Sequence, residues 1–155
     1  MIWMTRPTLQ ELAASHRHTA VEALGIEFTE IGDDFLAARM PVDGRTRQPH
    51  GILHGGASVL LAETLGSCAA AYCLDRDRFY CVGLDINANH LRSVSDGWVH
   101  GRADPIHLGR STHVWQIDIR DGEGRRVCLS RITMAVMPAG RQTRTPGEAD
   151  KGAHE

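Results

Sequence analysis

From Val114 to Arg120 apolar and polar residues alternate. Trp115, Ile117 and Ile119 fall on one face and Gln116, Asp118 and Arg120 on the other, which is the period of a half-buried strand. Looser versions of the pattern at 79–92, 97–107 and 125–137 predict three more strands, and the strand seen most clearly covers 111–121. Asp121-Gly122-Glu123-Gly124 reads as the hairpin turn between the last two. Nearer the start, 25–31 and 35–41 read as two strands joined across Gly32-Asp33-Asp34. The period changes at 54–74, a stretch rich in Ala and Leu and apolar on nearly every side; this predicts one long buried helix. Thr8-Leu9-Gln10-Glu11 is a capping box that opens a short helix running toward residue 16. Residues 42–51, with Gly44, Pro49 and Gly51, read as a loop. Apolar residues thin out from Ala139 onward, so the expected organisation is one domain over 1–138 and a mobile tail over 139–155.

Helix, two strands, a long apolar helix and four strands make an α+β pattern, an antiparallel sheet wrapped around one buried helix. Such a sheet has edges that a second chain can extend. At 155 residues the chain is one domain with room for a real core. It is too short for a (β/α)₈ barrel or for a dinucleotide domain joined to a substrate domain. Basic residues number 17 against 19 acidic, so no domain-wide basic footprint points to nucleic acid. Lys151 is the only lysine and the other basic residues are arginines. Cys68, Cys73, Cys81 and Cys128 show no C-x-x-C or metal-finger spacing and read as small core thiols of a reducing compartment. The start of the chain lacks a signal-peptide pattern. Glu63, Thr64, Gly66 and Ser67 interrupt the longest apolar stretch, so no membrane span is expected. A cytoplasmic protein follows as the expectation.

The densest chemistry lies in Gln48-Pro49-His50-Gly51-Ile52-Leu53-His54-Gly55-Gly56-Ala57-Ser58, followed by Glu63 and Ser67. Glycines at a helix start let another molecule approach the backbone, and the free N–H groups there carry the positive end of the dipole. That suits a carbonyl oxygen gaining charge, although a glycine-rich helix entry can also serve packing alone. Glu63 stands in Leu60-Leu61-Ala62-Glu63-Thr64-Leu65. An unpaired carboxylate is costly in such a helix and calls for a partner or a task. Ser67, one turn on, Thr64 or an arginine could be that partner. Gly55 and Glu63 are eight residues apart, about 12 Å along a helix axis. One copy of the helix therefore cannot bring both to one carbonyl, and two antiparallel copies can, which predicts a site at a two-fold interface. His50 and His54 share i, i+4 spacing but lack the Glu and third ligand of a zinc helix, so no metal is expected. His54 orients the loop or contacts the scissile group, and Gln48 is a neutral donor able to polarise a carbonyl. Gly83 with Asn89-His90-Leu91-Arg92-Ser93 forms a second cluster, and His107-Leu108-Gly109-Arg110-Ser111-Thr112 a third. Each sets an Arg beside a hydroxyl, a composition suited to phosphates and equally to an exposed strand end. Trp98, Val114 and Trp115 read as packing residues.

With these residues in view, the chain resembles the hotdog-fold acyl-CoA thioesterases of the phenylacetate-degradation and 4-hydroxybenzoyl-CoA thioesterase type. The matching signature is Q-P-x-G-x-L-H-G-G-A-S-x-x-L-A-E-x-x-G-S, from Gln48 to Ser67. The similarity runs from Met1 to about Met137, through Met40-Pro41-Val42-Asp43, Gly83-Leu84-Asp85 and His107-Leu108-Gly109. Ile86-Asn87-Ala88-Asn89-His90 favours the branch that acts on 1,4-dihydroxy-2-naphthoyl-CoA over its enterobactin-proofreading sibling. The resemblance implies Glu63 as nucleophile or general base. It implies Gly55 N–H and Gln48 on the carbonyl, His54 assisting, and Ser67 placing the water or Glu63. It implies that Gly83, the segment 90–93 and the segment 107–112 hold CoA, which is part of the substrate, with no cofactor needed. A homodimer with a continuous sheet, paired into a homotetramer, is also implied. His50 stands where an aromatic residue is expected, which bears on the acyl group. Two other hotdog activities stay open beside hydrolysis: a dehydratase or hydratase, and an acyl-CoA binding module without catalysis.

Overall fold

Local chemistry starts the first helix where expected. In the computed structural model, which describes residues 1–140, Thr8 caps α1 (Leu9–Ser15) and both halves of the capping box form with Glu11. A four-residue helix, α2 (Ala20–Ala23), follows and was not among the expected elements. Thr19 caps it, and Glu22 accepts from the His18 N–H at 2.6 Å. The remaining elements are β1 (Glu27–Ile31), β2 (Leu36–Pro41), α3 (Gly55–Tyr72), β3 (Phe79–His90), β4 (Trp98–Leu108), β5 (Thr112–Asp121) and β6 (Arg126–Pro138). Each predicted strand is present with its ends moved by a residue or two, and the expected tail from 141 onward lies outside the described residues.

The strands form one sheet in the order β1-β2-β4-β5-β6-β3, with every neighbouring pair antiparallel. The alternation in β5 does what it predicted: Trp115, Ile117 and Ile119 are fully buried, while Asp118 and Arg120 pair on the outer face at 2.7 Å. α3 lies across the inner face against β2 to β6. Helix and sheet approach closely because two glycines remove side chains at the contact. A Cβ on Gly101 of β4 would come within 2.7 Å of Leu65, and one on Gly66 of α3 would run into Ile132.

The helix is not buried all round. Leu61, Ala62, Leu65, Ala69 and Ala70 are fully covered, but Gly55, Val59, Glu63, Ser67 and Ala71, each four residues apart, stay partly open. This stripe runs along the β3 side of the helix–sheet contact, where the chain's own sheet covers it only in part. Beside it runs β3, an edge strand whose Tyr80, Val82 and Leu84 are 50%, 43% and 62% exposed. Exposed apolar side chains on a free edge strand, next to a partly open helix stripe, are surface that a partner chain is able to extend or cover.

Candidate active site

The loop that carries Gln48 is more ordered than its polar composition suggested. Gln48 accepts from the Gly51 N–H at 2.9 Å, with Pro49 and Gly51 at the second and fourth positions of the turn, where a type I turn favours them. Gly51 has φ 78. The two sides of the loop meet at a bridge between Arg47 and Leu53, and Gln48 N–H donates to Ile52 at 2.9 Å. Buried Thr46 ties the base of the loop to Pro41 through a 2.6 Å bond and accepts from the His54 N–H at 2.8 Å. Gln48 is thereby set beside the start of α3. Its side-chain oxygen takes the His50 N–H, so its amide NH₂ is the group left to donate.

His54 is the N-cap of α3. Its Nδ1 accepts from the Gly56 N–H at 2.8 Å, and its carbonyl takes the N–H groups of Ala57 and Ser58 at 3.0 and 3.3 Å. Three of the first four N–H groups are therefore used. Among the described residues none accepts from the fourth, on Gly55. The first turn thus presents one unpaired donor at the positive end of an 18-residue helix.

Gln48, Gly55, His90, Leu91, Arg92 and Ser93 all line one cleft of ≈ 410 Å³, together with Ser58 and Val127. Here the structure joins two clusters that lie about forty residues apart in the chain. The backbone N–H groups of Leu91 and Arg92 both donate to Val127 of β6, at 2.8 and 3.3 Å. The sequence puts Ser58 inside the dense segment without a role of its own, and it gives no sign of Val127, whose residue type marks no site without the fold.

Glu63 and Ser67 sit farther along the open stripe. Ser67 Oγ donates to Glu63 Oε1 at 3.0 Å. The expectation of a fully buried carboxylate is corrected here: Glu63 is half-buried in the single chain, because β3 and β6 cover this stripe only in part. Gly83 of β3 stands over it, and a Cβ there would come within 3.0 Å of Glu63 Oε1. Gly83 thus lies at the carboxylate, apart from the 90–93 segment with which it was grouped. Met134 and Cys81 pack against Ser67.

His107, Leu108, Gly109, Arg110, Ser111 and Thr112 turn from β4 to β5 at the opposite end of α3. Gly109, Arg110 and Ser111 line a separate hollow of ≈ 640 Å³ with Arg78 and Cys73. The chain therefore holds three separated groups along α3 instead of one assembled centre. None of the four cysteines competes as a nucleophile: burial pushes the Cys68 and Cys73 thiols up to about 12 and raises Cys81 and Cys128 as well, so all stay protonated near neutrality.

His113, two residues before Trp115 on the inner face of β5, braces the 107–112 turn. It is 3% exposed, and its Nδ1 has no partner among the described residues. Burial, reinforced by His107 nearby, holds its pKa below the ordinary 6.5, against the opposing pull of a hydrogen bond to the Gly109 backbone. A depressed folded-state value means that the unfolded chain binds the proton more readily. The stabilisation is complete above about 6.5 and is lost as pH falls through the folded value. Denaturant midpoints should therefore drop between neutral and mildly acid pH, and the drop should be smaller in His113→Gln. An equal drop in both proteins would remove His113 as the cause.

A model of the thioesterase superfamily matches residues 50–128. The chain is 51% identical over 137 residues to the 1,4-dihydroxy-2-naphthoyl-CoA hydrolase of Escherichia coli, covering 88% of this chain and 100% of that one. It is 55% identical over 137 residues to the proofreading thioesterase EntH of Cronobacter turicensis, covering 88% and 99%. Among solved structures, a thioesterase from Haemophilus influenzae superposes with a TM-score of 0.89 at 50% identity, covering 92% of this chain and 99% of that one. A mutant thioesterase from Pseudomonas aeruginosa gives 0.88 at 50% identity, with coverage of 89% and 99%.

Proposed function

The chain belongs to the thioesterase superfamily and is a thioester hydrolase with the hotdog fold, and from that premise we propose that it hydrolyses aromatic acyl-CoA thioesters of the 1,4-dihydroxy-2-naphthoyl-CoA kind to the free acid and CoA. The observation that carries the reading is the unpaired Gly55 N–H beside the Gln48 amide, with Glu63 and Ser67 eight or more residues along the same open stripe. Gly55 and Gln48 bind the thioester oxygen as it gains charge. Glu63, held by Ser67, either takes a proton from water or attacks the carbonyl carbon itself. Both routes break the C–S bond, and neither needs a metal or a cofactor. Half of each site comes from a second copy, with the free β3 edge extending the sheet across the dimer and the dimers pairing into a tetramer. The Arg92 and Arg110 segments hold the phosphates of CoA. No helix of the described residues is long and apolar enough to cross a membrane, which is compatible with work in the cytoplasm.

A second substrate class, aryl groups on a carrier protein, draws support from the 55% identity to a proofreading thioesterase. Thiol release over aryl-, hydroxyaryl- and fatty acyl-CoAs, and over holo carrier-protein thioesters, separates the two. The hydroxyaryl-CoA should give the highest kcat/KM. A preference for the carrier-bound ester would move the function to proofreading, and a preference for fatty acyl-CoA would remove the aromatic assignment.

A further inference from the structure

Two histidines stand at the start of α3, and they differ in what their nitrogens already do. His54 Nδ1 is occupied by the Gly56 N–H, so protonating that nitrogen would break the cap. His90 is exposed, and among the described residues neither of its ring nitrogens has a hydrogen-bond partner. Its ring tip points at Gly55: a Cβ built there would lie 2.9 Å from His90 Nε2 and 3.1 Å from Cε1. By ordinary bond lengths this puts Nε2 within about 5.5 Å of the Gly55 nitrogen. An oxygen held by that N–H has the thioester sulfur as its neighbour across one carbon, so the sulfur falls within reach of the His90 ring.

We infer that His90 is a catalytic residue, the acid that protonates the departing CoA sulfur, in addition to any contact it makes with CoA. The inference rests on the oxyanion role given above to Gly55. Water adds to the carbonyl carbon and gives its proton to Glu63. As the tetrahedral carbon collapses, the C–S bond breaks, its electron pair goes to sulfur, and the sulfur takes the Nε2 proton of the imidazolium. The proton on Glu63 returns through solvent to His90, so acid and base are both restored.

Leaving-group acidity tests this assignment. Toward benzoyl-CoA, whose thiol is weakly acidic, His90→Gln should lose on the order of 10²-fold in kcat with KM nearly unchanged. Toward the benzoyl ester of 4-nitrothiophenol, whose thiolate leaves without a proton, kcat/KM should fall less than about tenfold. Added imidazole should restore part of the benzoyl-CoA activity of His90→Ala. Equal losses on the two esters, or a raised KM with kcat kept, would overturn the acid role and leave His90 a binding residue. A wild-type enzyme that releases thiol from neither ester would instead overturn the hydrolytic reading beneath it.

Discussion

Glu63→Gln is expected to lower kcat toward aryl-CoA by on the order of 10²–10⁴ as general base, and by more if Glu63 is the nucleophile, while the fold stays intact. The substitution keeps the side chain's length and an oxygen for the Ser67 hydroxyl, which lies 3.0 Å from Oε1. Glu63 is half-buried, on a stripe that the chain's own sheet covers only in part, so neither a cavity nor an orphaned charge follows from the change. A loss of rate with an unchanged denaturation curve then reports chemistry alone. Glu63→Ala should lose at least as much. Single turnover in heavy-oxygen water divides the two routes, because label enters the Glu63 carboxylate only when a covalent acyl intermediate forms there. Full activity in Glu63→Gln would end its assignment to either role.

The sequence showed best what is local. The capping box at Thr8, the alternation of β5, the turn at Asp121 and the apolar run of α3 each depend on residues within a few positions of one another, and each is where it was expected. The missed helix α2 had a signal too: Thr19-Ala20-Val21-Glu22 repeats the T-x-x-E spacing of Thr8 to Glu11, but four residues are too few to show a period. What could not be read was distant pairing. Nothing in the stretch around Tyr80, Val82 and Leu84 says that it is an edge, and its apolar residues would ordinarily be assigned inward. Cys81 and Gly83 point in toward α3, so Tyr80, Val82 and Leu84 fall on the outer face of the sheet and stay exposed, and the place of β3 beside β6 sets Gly83 over Glu63 and His90 over Gly55. The same holds for His54. Its residue type suggested several chemistries, and only the cap geometry shows which nitrogen is committed.

Two inactive variants should restore activity to each other. Gly55 is the first residue of α3, and His54 before it has φ −71 and ψ 129, a conformation that a following proline accepts. Gly55→Pro therefore deletes the unpaired N–H and keeps the helix, at the cost of swinging the exposed His90 ring aside. Loss of the oxyanion donor alone lowers kcat by on the order of 10²–10³, and displacing His90 adds to that loss, so Gly55→Pro should fall by at least this much. Within one chain Gly55 and Glu63 are about 12 Å apart along the axis, whereas donor and base must both come within about 3 Å of the reacting atoms. If each site takes its donor from one copy and its carboxylate from the other, a mixed dimer of Gly55→Pro and Glu63→Gln chains holds one intact site and one doubly defective site. Equal co-expression gives mixed dimers half the time, so the purified mixture should recover about one quarter of wild-type kcat per chain. Each variant alone should remain near its own floor. A mixture with no more activity than the mean of its parts, despite proven exchange of subunits, would place the whole site within a single chain. The open stripe from Gly55 to Ala71 would then need another explanation.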